Sequence, residues 1–161
     1  MSQIENDPEK VWEIVKKVRI AMVVTHADGE FEGRPLYAYG EEENGRILLM
    51  TDSSHVIGEV GAESHMMLTF ADTGDNNYAA IDGAGAIQND RAKIKELWTP
   101  WAEAYWDSPE DPAIRIIAFT PHRARYWDAP NKIISTIAML AGAVTGQRPS
   151  MGKAGDVHMN R

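Results

Sequence analysis

The chain has 161 residues, of which 43% are hydrophobic and 25% charged, and these values are typical of one globular domain. Its 24 acidic and 16 basic side chains leave a formal net charge of −8 without a basic cluster, which argues against a nucleic-acid or anionic-membrane surface. The chain has no cysteine, which excludes disulfides, thiolate metal sites and a cysteine nucleophile.

The first ten residues, MSQIENDPEK, are polar and acidic, so they do not resemble a secretory signal peptide. The longest mostly apolar run, residues 133–144, is too short to cross a bilayer. We therefore expect a soluble protein of the cytoplasm.

Asp7 followed by Pro8 predicts the start of a helix, because Asp is a favoured cap and Pro suits the first helical position. Apolar residues then recur at helical spacing and give the helix one buried face. These residues are Val11, Ile14, Val15 and Val18.

Residues 20–25 predict a buried strand, and residues 27–29 predict a turn into a second strand at 30–39. Pro35 cannot donate a hydrogen bond within a sheet. We therefore expect the second strand to be at an edge, bulged or facing a ligand at Pro35.

Asn44-Gly45 is a strong hairpin signal, and it precedes an unbroken apolar run at residues 47–50. So short an apolar run predicts a strand that is buried on both faces.

Hydroxyl side chains crowd the next corner, at Thr51, Ser53 and Ser54, where residues 54–62 predict a short helix. The first turn of a helix carries unpaired N–H groups and a partial positive charge, which suits a phosphate. Alternatively, Ser53 simply caps the helix.

Residues 66–70 predict a fourth strand, 72–77 a turn and 78–88 a fifth strand. Gly83 and Gly85 in the fifth strand indicate the strong bending that a barrel requires.

Asp90 predicts a helix cap, and Pro100 interrupts that helix. The aromatic residues of this segment follow near-helical spacing, which is more typical of core or dimer packing than of a cofactor site. They are Trp98, Trp101, Tyr105 and Trp106.

Residues 113–119 and 123–127 predict two more strands, joined at Thr120-Pro121, and residues 132–144 predict an apolar helix. We expect one domain over residues 1–145, followed by a loosely ordered tail over residues 146–161.

Many short strands with few helices predict a mainly β protein, an antiparallel barrel with flanking helices. The five histidines show no paired metal-ligand spacing, so we expect no metal site. No acid–base pair is evident, and the catalytic residues are unknown.

Several stretches in order resemble the flavin-binding split-barrel proteins related to pyridoxamine 5′-phosphate oxidase, and most of all their general stress protein branch. The matching stretches are RIAMVVT, GRPLYAY, ILLMTDSSHVIGEV, MMLTFAD, DRAKIKELWTPWAEAYW and FTPHRARYWDAP. The resemblance implies a six-stranded antiparallel split barrel with flanking helices. It also implies a homodimer that binds FMN, occasionally FAD, at the subunit interface.

The resemblance implies that the flavin lies along Arg34 and Leu36 and against Trp127, and that Asn77 of the partner subunit contacts it. It places the phosphate at the hydroxyl corner described above. The full set of cofactor-binding residues that it implies is Arg34, Leu36, Met50, Thr51, Ser53, Ser54, His55, Asn77 and Trp127.

Two positions depart from the family pattern. Val56 stands where many relatives have a lysine, and residues 128–136 lack the Arg-x-His pair with which the vitamin B6 oxidases hold their substrate. We therefore do not expect pyridoxine phosphate oxidase activity.

The function expected is that of a flavin-dependent oxidoreductase related to the stress response, acting on a small molecule with a nicotinamide reductant. The alternative is a flavin-binding or storage protein without turnover. We expect a homodimer, because residues 47–50 and 114–119 are apolar on both faces and one face needs helices or a partner subunit.

Overall fold

The computed structural model describes residues 4–55, 64–129, 132–146 and 153–159. The helices in these residues are α1 (Pro8–Val18), α2 (Arg91–Glu96), α3 (Pro100–Glu103) and α4 (Lys132–Thr145). The strands are β1 (Ile4–Glu5), β2 (Ile20–Ala27), β3 (Glu30–Glu41), β4 (Arg46–Asp52), β5 (Ser64–Asp72), β6 (Asn77–Gln88), β7 (Ile114–Asp128) and β8 (Lys153–His158).

Six strands close into a barrel. Their hydrogen-bonded order is β7-β4-β3-β2-β5-β6, and β6 pairs with β7 to complete the ring. Each of these pairings is antiparallel. The predicted mainly β fold, a six-stranded antiparallel split barrel with flanking helices, is therefore confirmed.

The barrel interior is closed at one end by α1. Val11, Trp12, Ile14 and Val15 of this helix are buried in the same apolar cluster as the inward side chains of the strands. The helix begins as predicted, because the Asp7 carboxylate accepts a hydrogen bond from the Lys10 backbone N–H at 3.3 Å.

The strand β4 is buried on both faces, as its unbroken apolar run predicts. Ile47 and Leu49 belong to the barrel core, whereas Leu48 and Met50 pack outside the barrel in a second cluster with Ile94 of α2. Helices of the same chain thus cover the outer face of β4, and that face does not by itself require a partner subunit.

The loop between β3 and β4 has four residues, because Glu41 pairs with Arg46. Gly45 adopts the left-handed conformation with φ 62°, which accounts for the Asn-Gly signal in the sequence. After β4, Ser53–His55 form a single 3-10 turn, and the predicted helix at residues 54–62 lies almost entirely outside the described residues.

The prediction of two strands joined at Thr120-Pro121 is wrong, because β7 is continuous over 15 residues. One edge of β7 pairs with β4 up to Phe119 and with β8 from Arg123 onward, so Pro121 falls between these two partners. The missing N–H of Pro121 therefore costs no hydrogen bond to either strand.

The prediction of a loosely ordered tail over residues 146–161 is also wrong for Lys153–His158. This segment is β8, which pairs antiparallel with β7 and parallel with β1. Gly155 and Val157 of β8 are buried. Burial and pairing with β7 explain why this polar, glycine-containing segment is ordered.

Among the described residues, no helix combines the length and the apolar character needed to cross a membrane.

Candidate functional site

A cavity of about 440 Å³ lies between β3, the end of β4 and the α3 segment. This volume is within the usual range for small-molecule pockets. Its lining residues are Ile20, Arg34, Pro35, Leu36, Tyr37, Tyr39, Met50, Thr51, Asp52, Trp101, Ala102, Tyr105 and Trp106.

The floor of the cavity includes a stretch of β3 that has one neighbouring strand. Pro35 pairs with Met22 of β2, whereas β4 pairs with β3 only from Ala38 to Glu41. The strand is thus at an edge at Pro35, and it also faces the cavity, so that expectation from the sequence is confirmed.

Five aromatic rings form a continuous wall of the cavity, which we call the aromatic wall: Tyr37, Tyr39, Trp101, Tyr105 and Trp106. Successive ring centroids along it are 4.7 to 5.9 Å apart. Such spacings are favourable for aromatic pairs, and the wall offers flat apolar surface to a planar ligand.

Sequence reasoning missed this wall, because we assigned the aromatic stripe after Asp90 to packing. Trp98 does pack in the second apolar cluster. Trp101 and Tyr105, in contrast, are 43% and 63% exposed and line the cavity. Pro100 could have indicated this wall in the sequence. It starts a new short helix, and the axis of that helix need not continue the axis of α2.

The corner at the end of β4 is held by the Asp52 carboxylate. Its Oδ1 accepts hydrogen bonds from the Ser54 N–H at 2.8 Å and from the Ser54 hydroxyl at 2.5 Å. Its Oδ2 accepts one from Trp106 Nε1 at 3.0 Å, and the Ser53 N–H donates to the Ala113 carbonyl at 2.8 Å. Asp52 therefore connects the corner to the aromatic wall.

The pKa of Tyr39, one of the cavity residues, is shifted by burial. Burial raises the pKa of its phenol above the ordinary value, against the opposing effect of its 3.5 Å hydrogen bond with the Thr99 hydroxyl. Tyr39 is therefore protonated at neutral pH, and it can donate or accept a hydrogen bond but cannot act as a base.

Four of the predicted cofactor-binding residues meet at the cavity: Arg34, Leu36, Met50 and Thr51. Thr51 is the most enclosed polar group, with 3% of its surface exposed. Two separate strands contribute these residues, and the cavity supports the prediction that they act together.

Three more of the predicted cofactor-binding residues follow the cavity lining in sequence. Ser53 and Ser54 follow the cavity residue Asp52, and His55 ends the 3-10 turn. Val56 lies outside the described residues.

Asn77 and Trp127 are not among the cavity residues. They lie beside each other on β6 and β7, where Tyr78 pairs with Trp127. The Oδ1 atom of Asn77 is buried with no hydrogen-bond partner among the described residues, whereas Trp127 is 42% exposed. The resemblance implies that Asn77 contacts the flavin bound in the partner subunit's cavity. Asn77 is not part of the cavity lining in its own chain, so that role stays a prediction.

The residues of the cavity fit the parts of a flavin unequally. The aromatic wall suits the planar ring system, and the Arg34 guanidinium suits an anionic group. The Asp52 carboxylate, which also lines the cavity, repels such a group. The residues that line the cavity therefore fit the flavin ring better than they fit the flavin phosphate.

Solved structures with a similar fold include three that have low sequence identity to this chain. A general stress protein 26 from Jannaschia sp. CCS1 superposes with a TM-score of 0.77 at 22% identity over 93% of this chain and 96% of the other. A general stress FMN/FAD binding protein from Xanthomonas citri superposes with a TM-score of 0.66 at 24% identity, over 74% of this chain and 87% of the other.

The third is a pyridoxamine 5′-phosphate oxidase-related, FMN binding protein from Nostoc punctiforme PCC 73102. It superposes with a TM-score of 0.53 at 11% identity, over 78% of this chain and 87% of the other. At these identities the likeness shows the fold alone. No curated protein matches the chain.

A family model described as pyridoxamine 5′-phosphate oxidase like matches residues 6–150. The match covers the whole barrel and the cavity. The chain therefore belongs to the pyridoxamine 5′-phosphate oxidase-like family.

Proposed function

We propose that this protein binds a flavin, FMN or FAD, in the cavity and acts as a flavin-dependent oxidoreductase of the cytoplasm with a role in stress. The observation that carries the proposal is that the aromatic wall and Arg34 line one cavity of about 440 Å³. The names of the Xanthomonas and Nostoc proteins, which describe FMN or FAD binding, support it.

The bound flavin would supply the redox chemistry, and the chain supplies binding and surroundings. Tyr37, Trp101 and Tyr105 offer faces and edges on which its ring can stack. The mostly apolar lining excludes water from one side of the ring. The substrate proposed is a small molecule, with a nicotinamide nucleotide as the reductant.

We do not expect oxidation of pyridoxine 5′-phosphate, because residues 128–136 (DAPNKIIST) lack the Arg-x-His pair of the vitamin B6 oxidases. Without that pair the substrate phosphate lacks its positively charged partners.

We further propose a homodimer whose partner subunit completes the cavity. Met22 and Met67 are 42% and 37% exposed on the outer face of the barrel, while their neighbours Val23 and Leu68 are buried in its core. Met22 pairs with Pro35, which itself lines the cavity. A partner that covers this apolar face would thus reach the rim of the cavity.

Binding without turnover is the second candidate function. The lining residues favour it in one respect: in the described part of the cavity, Asp52 is the only carboxylate, and it accepts hydrogen bonds from Ser54 and Trp106. Reduction of the bound flavin by NADH or NADPH, followed by reoxidation, would favour the oxidoreductase. Tight binding without reduction by either nucleotide would favour storage.

The test of the site itself is flavin binding to the purified protein. We expect the visible absorption bands of a flavin in protein purified without added cofactor, and saturable binding of added FMN to the apoprotein. Trp101→Ala should weaken FMN binding about 3- to 10-fold, since one aromatic contact contributes about 0.5–1.5 kcal/mol.

Glu103→Ala is the matched control, because Glu103 is an exposed residue of α3, the same helix as Trp101, and lies outside the cavity lining. It should leave the affinity unchanged. Equal effects of the two substitutions would place the flavin elsewhere, and no binding at all would refute the proposed function.

A further inference from the structure

The charges and hydrogen bonds of the corner at the end of β4 bear on which flavins the cavity accepts. We propose that the cavity selects its ligand by the planar ring and gains little from a 5′-phosphate, so that riboflavin binds nearly as tightly as FMN. This inference rests on the proposed flavin binding and concerns the ligand class of the same site.

Three of the donors expected for a phosphate are already engaged within the chain. The Ser53 N–H donates to the Ala113 carbonyl, and both the N–H and the hydroxyl of Ser54 donate to Asp52 Oδ1. A phosphate at a helix start is normally held by N–H groups that have no other acceptor. Here a phosphate would have to displace the Asp52 carboxylate or the Ala113 carbonyl before gaining such a bond.

The Asp52 carboxylate cannot turn away from the corner without losing further contacts. Its second oxygen accepts the Trp106 Nε1 hydrogen bond at 3.0 Å, and Trp106 is itself partly buried against the second apolar cluster. A fixed negative charge on the lining raises the free energy of a bound phosphate dianion, and it does so more strongly in a partly buried site than in water.

The described lining of the cavity adds no second cation. Among the cavity residues that the structure describes, Arg34 is the only lysine or arginine, and Asp52 balances its charge. The lining therefore has no net positive charge with which to attract a phosphate.

The ring, in contrast, meets a preformed surface. The rings of the aromatic wall contact one another with centroids 4.7 to 5.9 Å apart, so they are arranged before a ligand arrives. A neutral flavin without phosphate can use this wall fully and avoids Asp52. The balance of contacts thus favours recognition of the ring.

The experiment compares riboflavin and FMN on the same apoprotein by titration of flavin or tryptophan fluorescence. We expect the two dissociation constants to agree within about 10-fold. An FMN affinity about 100-fold or more above that of riboflavin would overturn this inference and leave the proposed function intact. Binding of neither flavin would overturn both.

Asp52→Asn tests the electrostatic cause, because the amide keeps one oxygen to accept from Ser54 but carries no charge. FMN binding should tighten about 3- to 10-fold relative to riboflavin binding, because any change in the Trp106 contact affects both flavins alike. Glu9→Gln, which neutralises an exposed carboxylate in the first turn of α1, is the matched control and should change neither affinity. An unchanged ratio of FMN to riboflavin affinity in a folded Asp52→Asn protein would contradict the inference. Should this variant not fold, the ratio measured on the unmodified protein decides.

Discussion

The strands β6 and β7 approach each other closely at Gly83. The register of this pair shifts between Asp82 and Gly83, and Gly83 lies opposite Pro121. A Cβ atom at Gly83 would lie 2.2 Å from the Thr120 carbonyl oxygen and 2.7 Å from the Phe119 ring. Since a backbone oxygen cannot move aside as a flexible side chain can, the barrel needs glycine at this position.

We predict that Gly83→Ala destabilises the fold by about 1–3 kcal/mol or more, the usual cost of forcing extra atoms into a packed interior. The measurement is the free energy of unfolding in urea. Gly33→Ala on β3 is the control, because its Cβ would lie at an ordinary distance of 3.5 Å from the Met22 sulfur. It should change stability by less than about 0.5 kcal/mol. Equal destabilisation by the two substitutions would contradict the close approach at Gly83.

At the scale of elements, β8 is attached to the barrel by charge as well as by pairing with β7. Asp156 of β8 forms ion pairs with Arg123 and with Arg125 of β7, the second at 3.3 Å. The hydrogen bond and charge of Arg123 lower the pKa of Asp156 well below its ordinary value, and Asp156 in turn raises the pKa of Arg123.

The direction of the Asp156 shift predicts how Asp156→Asn acts at different pH values. Because the folded-state pKa lies below the ordinary value of 3.8, the contribution of Asp156 is fully present above pH 3.8 and decreases as the pH falls toward the folded-state pKa. Asp156→Asn should therefore lower the melting temperature at pH 7, and by a smaller amount in strong acid.

Melting curves of both proteins over this pH range provide the measurement, with Asp107→Asn at an exposed position as the control. A difference in melting temperature that stays constant into strong acid would show that charge does not hold β8.

At the scale of the whole molecule, exposed apolar side chains outside the cavity include two groups, one on the outer barrel face and one on α4. Met22, Met67 and Phe31 lie on β2, β5 and β3, while Met139, Leu140 and Val144 lie on α4. Apolar patches on a protein surface often mark interfaces between subunits, and we propose that the outer barrel face is one. The outer barrel face reaches the cavity at Pro35, which connects the proposed dimer with the proposed site.

We predict that the protein sediments as a dimer at micromolar concentration and that Met22→Glu shifts it toward monomer, since the new carboxylate would be buried without a partner. Flavin affinity should fall with the dimer, because the partner subunit is proposed to complete the cavity. Ala92→Glu, which adds the same charge at an exposed position of α2, should affect neither property. A stable monomer that binds flavin as tightly as the unmodified protein would refute a cavity shared between subunits.

The sequence by itself determined the features that depend on near neighbours. The start of α1 at Asp7 and Pro8, the turn at Asp28 and Gly29, and the burial of β4 on both faces were all predicted. Caps and turns act through hydrogen bonds that span a few residues, so their signals are local. The same locality placed Arg34 and Leu36 on β3 and Met50 on β4, whereas Thr51, which was expected at the corner after the strand, lies within β4.

Only the tertiary structure decided the features that join distant parts of the chain. Pro121 is tolerated within β7 because β4 ends and β8 begins on either side of it, and β8 is ordered because β7 and β1 pair with it. Asp52 contacts Trp106, which lies 54 residues further along the chain, and this contact changes a corner predicted for a phosphate into one that already holds a carboxylate. Such contacts form when the barrel closes, and no local pattern of residues encodes the partner that closure brings near.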